Sequence, residues 1–186
     1  MEVLFFVEDP GAANFIEDLP QEMAQLGIKA KLIAINYAVK HLNARKINFD
    51  EIDPQASAKH IILKYNPKLL LVGTSQSPNS LGLELIDYGK AQGIPTIGFI
   101  DTAADSELRF CGVTNSPLNH APDWIIVPDT YTRSLFINYG YPNQNIKVTG
   151  SPNYERISRL RQRLEKVGVD VLREKHFQNS GQYPIV

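Results

Sequence analysis

The chain opens on an unbroken apolar run, Val3 to Val7, cut off at Glu8-Asp9-Pro10-Gly11. A continuous run, rather than an alternating one, is what a strand buried on both faces of a parallel sheet requires. Phe15, Ile16, Leu19, Met23 and Leu26 then recur at helical spacing up to Gly27, with Pro20 placed to kink or split that helix. The same alternation continues along the chain. Lys29 to Ile35 reads as a strand, and Ser57 to Tyr65 as a helix closed by Asn66-Pro67, because a residue before proline is pushed out of the helical region. Leu69 to Val72 is a strand, the segment around Leu81, Leu85 and Tyr88 a helix stopping near Gly93, and Thr96 to Ile100 a strand. Trp124 to Val127 is another strand, followed by Asp129 or Thr130 as the cap of a helix carrying Leu135, Phe136 and Tyr139. Ile146 to Val148 is a short last strand. The stretch from Asn36 to Gln55 carries no clear period.

Strands alternating with helices at this rhythm imply right-handed crossovers and a doubly wound parallel α/β sheet with helices on both faces. The helix from Asn153 differs in character. Ile157, Leu160, Leu164, Val167 and Val171 form one apolar stripe, while Arg156, Arg159, Arg161, Arg163 and Lys166 cover much of the rest. Its basic face reads first as a solvated surface, with a dedicated anion surface as the alternative. Tyr183 to Val186 reads as a strand that has barely begun.

Composition narrows the classes. The 186 residues make about one domain with some chain left over, and 43% hydrophobic with 21% charged residues is an ordinary globular balance. Nineteen Lys+Arg against twenty Asp+Glu leave a formal charge of -1, so no global field draws the chain to nucleic acid. A single cysteine, Cys111, excludes an intrachain disulfide, and His41, His60, His120 and His176 have no metal-ligand spacing, so no metal site is expected. The acidic start and the lack of an ~18-residue apolar run exclude a signal peptide and a membrane span, and the chain reads as soluble and cytoplasmic. Peripheral membrane contact stays open.

Open parallel sheets bind ligands beyond the carboxyl ends of their strands. The first such segment carries Glu8, Asp9, Gly11 and Asn14; its small residues let a ligand approach, but it has neither dinucleotide nor Walker glycines. A tight turn capped by Asp9 is the plainer reading. The second, Gly73 to Ser80, presents Ser75 and Ser77, suited to sugar hydroxyls, with Asn79 or Ser80 as an ordinary cap in the alternative. The third places Asp101 directly after a strand among small residues, as a general base for a sugar hydroxyl or, with Asp105, as a helix cap. The fourth is Gly150-Ser151, where backbone amides suit a phosphate, or where the chain merely turns. Cys111 has no partner that marks it as a nucleophile.

The run Ala121-Pro122-Asp123-Trp124-Ile125-Ile126-Val127-Pro128-Asp129, then Leu135, Gly140 and Pro142, then Ile146-Lys147-Val148-Thr149-Gly150-Ser151-Pro152, resembles the end of the N-terminal domain of GT-B glycosyltransferases. The basic position of that motif is displaced here, with Asn145 before Ile146 and Lys147 after it. The resemblance implies a Rossmann-like domain over 1–152, a bridging helix and linker over 153–182, and at 183–186 the start of a C-terminal domain cut away. It further implies an acceptor-binding half, with a carbohydrate acceptor and a nucleotide-sugar donor as partners, no cofactor, and work in cell-surface or extracellular polysaccharide synthesis. Asp101 would be the base; Glu8, Asp9, Gly11, Asn14, Ser75 and Ser77 would contact the acceptor, and Gly150 and Ser151 would face the other domain or a phosphate. Alone, such a half would be inactive. Non-hydrolysing UDP-N-acetylglucosamine 2-epimerases share the architecture, but their G-D-x-x-S loop falls on Gly73 to Ser77, where the acid is missing. In their H-V-E-A-G-L-R segment only Asp101 matches the Glu. A non-catalytic sugar or nucleotide binder, with the basic helix reaching a phosphate, is the remaining reading.

Overall fold

In the computed structural model, which describes residues 2–168 with 171 and 174, Val3–Val7 forms strand β1 and every one of its side chains is buried. The helix expected after it begins earlier and is broken in two, α1 over Pro10–Ile16 and α2 over Leu19–Gln25. Pro20 explains the break, since a residue without an N–H fits only the first turn of a helix. Strand β2 (Ala30–Ala34) follows. The unassigned stretch holds helix α3 (Asn36–Ala44) and a two-residue strand β3 (Asp50–Glu51). Then come α4 (Ala58–Tyr65), β4 (Leu69–Gly73), α5 (Leu81–Ala91), β5 (Thr96–Phe99), β6 (Trp124–Val127), α6 (Thr130–Asn138), β7 (Ile146–Val148) and α7 (Pro152–Val167).

The seven strands of the described residues are all parallel, in the order β3-β2-β1-β4-β5-β6-β7. The chain winds outward from β1 to one edge, returns, and winds to the other edge. The order therefore reverses between β1 and β4, which is the topological switch point of a doubly wound sheet. Alternation along the strands fills two cores. Leu4, Phe6, Ile33, Leu70 and Val72 pack with Ile61 and Ile62 of α4, Leu85 and Ile86 of α5, and Phe136 of α6. Phe5, Val7, Leu32, Ala34 and Leu71 face the other way, onto Phe15 and Ile16 of α1 and Ala38 and Leu42 of α3. Phe5 and Phe6 are fully buried on opposite faces, each contributing roughly 1.5–3 kcal/mol.

The ends of the helices follow ordinary cap chemistry. Ser57, Ser80 and Asp129 accept amide hydrogens in the first turns of α4, α5 and α6, and Asn66, in the left-handed region, closes α4. Cys111 is buried, its thiol against the carbonyls of Leu108 and Gly112.

The chain divides between Ser151 and Pro152 into two units. The second begins with α7, on which Ile157, Leu160, Leu164 and Val167 line one side and are exposed, as is Val171 beyond it. Arg159 pairs with Glu155 and Arg161 with Glu165 within the helix, so two of the basic side chains serve the helix itself. The segment 183–186, expected to begin a further domain, lies outside the described residues. Among the described residues no helix is long and apolar enough to cross a membrane.

Candidate functional site

The loops leaving β1, β4 and β5 meet at the switch point. Gly73, the last residue of β4, lies so near α1 that a Cβ there would come within 2.5 Å of the Ala12 methyl. Its bareness brings the two loops together. Thr74 ties the next pair, its hydroxyl donating to the Phe99 carbonyl at 2.7 Å while its amide reaches the same oxygen.

Glu8 leaves β1 with only 5% of its surface exposed. Burial pushes its carboxyl above the usual range; the Ser80 and Ser75 hydroxyls and the Leu81 amide act against that, and the Asp9 charge adds to it. Among the described residues its Oε1 nevertheless has no hydrogen-bond partner, an unusual condition for a buried carboxylate. Asp9 caps α1, accepting from the Ala12 amide at 2.9 Å. Its carboxyl is likewise raised, first by burial and also by Asp101, with the Ala12 and Gly11 amides and Arg109 opposing.

Asp101 follows β5 and is ion-paired through Oδ1 to Arg109 Nη1 at 3.1 Å. Its Oδ2 lies where a Cβ on Gly11 would stand. Arg109 is 4% exposed and also donates to the carbonyls of Thr74 (3.4 Å) and Ala104 (3.3 Å). One guanidinium thus holds the β4 loop, the β5 loop and Asp101 in a fixed relation. Gln76 adds a second tie between those loops, donating to Asp105 Oδ2 at 2.8 Å.

Of the residues singled out in the sequence, Glu8, Asp9, Gly11, Ser75 and Asp101 are brought together. Asn14 stands one turn beyond Gly11 in α1, half-buried. Ser77 is exposed on the β4 loop, its amide donating to Ser75 Oγ at 3.0 Å. Gly150 and Ser151 follow β7, four strands from β1 and two from β5, which leads into Asp101, or roughly 10 Å from the latter at about 4.8 Å per strand, and are not among the residues gathered at β1, β4 and β5. The capping role weighed for Asp101 and Asp105 does not appear: Asp101 is ion-paired instead, and Asp105, left-handed at φ 51, makes no side-chain cap bond. Asp9 does cap its helix while standing in the cluster. Arg109 is the residue that sequence reasoning missed. A cation set in the apolar run Leu108-Arg109-Phe110-Cys111 was the available signal, because a buried guanidinium demands an acidic partner. Among the described residues no group of three or more His, Cys, Asp and Glu is placed to hold a metal ion.

Chemically, the cluster is a group of carboxylate acceptors around one cation already committed to Asp101. It suits a ligand that brings hydroxyl hydrogens.

No family model matches the chain, and no curated protein matches it in sequence. Solved structures do share its architecture. UDP-GlcNAc 2-epimerase from Neisseria meningitidis, solved with UDP-GlcNAc, superposes with a TM-score of 0.64 at 15% identity, over 94% of this chain and 52% of that one. HepE from Anabaena, in complex with UDP and glucose, gives 0.61 at 16% identity over 91% of this chain and 50% of its own. MurG of Acinetobacter baumannii gives 0.57 at 12% identity, over 81% and 45%. The chain therefore has the Rossmann-like α/β fold found in GT-B proteins, as the motif through Val148-Thr149-Gly150-Ser151-Pro152 led one to expect. It spans about half the length of these structures.

Proposed function

We propose that the unit ending at Ser151 is the acceptor-binding half of a glycosyltransferase that uses a nucleotide-sugar donor, acting in the synthesis of cell-surface or extracellular polysaccharide. The observation that carries the reading is the Asp9, Asp101 and Arg109 group at the switch point, beside buried Glu8. In the proposed reaction an acceptor hydroxyl oxygen bonds to the anomeric carbon of the donor and the nucleoside diphosphate leaves. The hydroxyl proton passes to Asp101, which Arg109 and Gly11 hold in place. Glu8, Asp9 and Ser75 accept or share hydrogen bonds from other acceptor hydroxyls, with Asn14 and Ser77 at the margin. As an acceptor-binding half, the chain by itself transfers no sugar.

The test is an amide NMR titration of the chain with methyl glycosides and, separately, with UDP, GDP and CDP, alongside a transfer assay. The reading expects glycosides to shift the amides of Gly11, Thr74, Ser75 and Ala104, with no turnover. It fails if only nucleotides shift them, or if the chain transfers sugar by itself.

The likeness to the N. meningitidis epimerase favours a second reading, a relative of the non-hydrolysing epimerases. Conversion of UDP-N-acetylglucosamine to its 2-epimer by a longer chain, lost with Asp101→Asn, would select it over transfer.

A further inference from the structure

We infer that this site takes an uncharged, hydroxyl-donating sugar and rejects phosphorylated or otherwise anionic ligands. The inference rests on the acceptor reading above and adds to it the class of acceptor.

Rossmann-like sheets ordinarily hold phosphate on the free amides that open their helices. Here those amides are already taken by the protein's own side chains. Asp9 occupies the Ala12 amide of α1 at 2.9 Å. The start of α5 is filled by Ser80, which accepts from Gly82 at 3.0 Å, and by Glu8 beside the Leu81 amide. Asp129 occupies the Thr132 amide of α6 at 2.7 Å. No opening amide is left to these three helices' usual guest at those positions.

The side chains point the same way. Glu8, Asp9, Asp101 and Asp105 line the loops after β1, β4 and β5, against Arg109, whose charge is committed to Asp101 and to two carbonyls. An anion would meet this acidic rim without a cation to receive it. A hydroxyl is received well. The Oε1 of Glu8, on a side chain more than nine-tenths buried and facing Ser75 and Ser80 across the switch point, has no hydrogen-bond partner among the described residues. That oxygen is closed to solvent, so a ligand's hydroxyls are met instead by the half-buried carboxylates of Asp9 and Asp101, whose oxygens can only accept.

The experiment titrates the 186-residue chain, followed by amide NMR, with the methyl glycosides of glucose, galactose, mannose and N-acetylglucosamine and with the 6-phosphates of the same sugars. At least one neutral glycoside is expected to shift the amides of Gly11, Ser75 and Ala104. Its phosphate should bind at least about tenfold more weakly at low salt, because a dianion is repelled by the several carboxylates of the site. That difference should narrow as salt is added, and Asp105→Asn, which removes an exposed charge, should shift the ratio about twofold toward the phosphate. Equal or tighter binding of the phosphate at these amides overturns the inference and leaves the acceptor reading standing. No shift with any member of either series removes the acceptor reading, and the inference with it.

Discussion

Gly11 and Asp101 occupy one another's space: the Oδ2 of Asp101 rests where the first side-chain carbon of any larger residue at position 11 would stand. Glycine is a poor helix former, costing about 1 kcal/mol against alanine, yet it stands in the first turn of α1. Gly11→Ala is therefore expected to cost on the order of 1–3 kcal/mol, since the helix gains up to about 1 but the displaced Asp101 carboxylate strains its pair with buried Arg109. Glycoside binding should fall at least tenfold because Asp101 is pushed aside. Thermal denaturation with a parallel binding titration checks it; retained binding would show that the contact positions nothing.

Arg109 is almost wholly buried and has Asp101 as its ionic partner. Removing one member of a buried pair strands the other, at a cost of about 3–5 kcal/mol. Arg109→Ala should be near the upper part of that range, because the Thr74 and Ala104 carbonyls lose a donor too. Asp101→Asn keeps a neutral acceptor but leaves the buried Arg109 charge without its counter-charge, and should cost a similar amount, about 3–5 kcal/mol. A double-mutant cycle by urea denaturation should return a coupling of at least about 1 kcal/mol. Additive effects would mean that the pair contributes nothing as a pair.

A tyrosine at the sheet edge gives a pH signature. Tyr65 of α4 donates to Asp50 Oδ2 at 3.0 Å, and Lys31 pairs with Asp50 at 2.6 Å, so edge strand β3 is tied to β2 and α4. Burial, with the Asp50 carboxylate adding to it, pushes the Tyr65 phenol up to about 12, and burial also raises Tyr141, whose hydroxyl donates to the Pro122 carbonyl. The folded values lie above the unfolded value of about 10. Stability from these groups is thus complete below about pH 10 and is lost as pH rises through the folded values. Tyr65→Phe should cost about 0.5–1.5 kcal/mol at neutral pH and flatten that alkaline decline. Denaturation midpoints between pH 8 and 12 measure both effects.

How far the sequence reached depended on whether a signal was local. The run Val3 to Val7 and the Asp129 cap are written in adjacent residues, and both stand where they were read. Helix α3 was not legible because it opens at Asn36 with φ 54 and no side-chain cap, and β3 is two residues long. The site divides along the same line. Loops after strands are visible in sequence, so Glu8, Asp9 and Asp101 could be singled out as candidates there. The partnership of Asp101 with Arg109, eight residues on and beyond a short 3-10 turn, is made by the return of the chain onto the β4 loop. So is the meeting of Glu8 with Ser75 and Ser80. Contacts between loops that are distant along the chain have no period to betray them.

Glu8 joins stability to function most directly. Its folded carboxyl is raised, by burial first, so the group favours the folded state at acid pH, below its unfolded value of about 4.5, and that favour is lost as pH rises through the folded value. At neutral pH a buried charge with an unfilled oxygen works against folding. Glu8→Gln keeps the shape and removes the charge, and should raise stability by about 0.5–2 kcal/mol at pH 7, the range typical of relieving such a site. The gain should shrink toward pH 4, where the native Glu8 takes up its own proton. Binding should move the other way: Gln puts one neutral acceptor oxygen in place of the charged carboxylate that holds the Ser75 and Ser80 hydroxyls, so methyl glycosides should lose about tenfold in affinity. Paired measurements of unfolding free energy and glycoside binding from pH 4 to 8 decide it. A variant that loses stability at pH 7 while keeping its ligand would show that Glu8 is a structural anchor of α5 and not a part of the site.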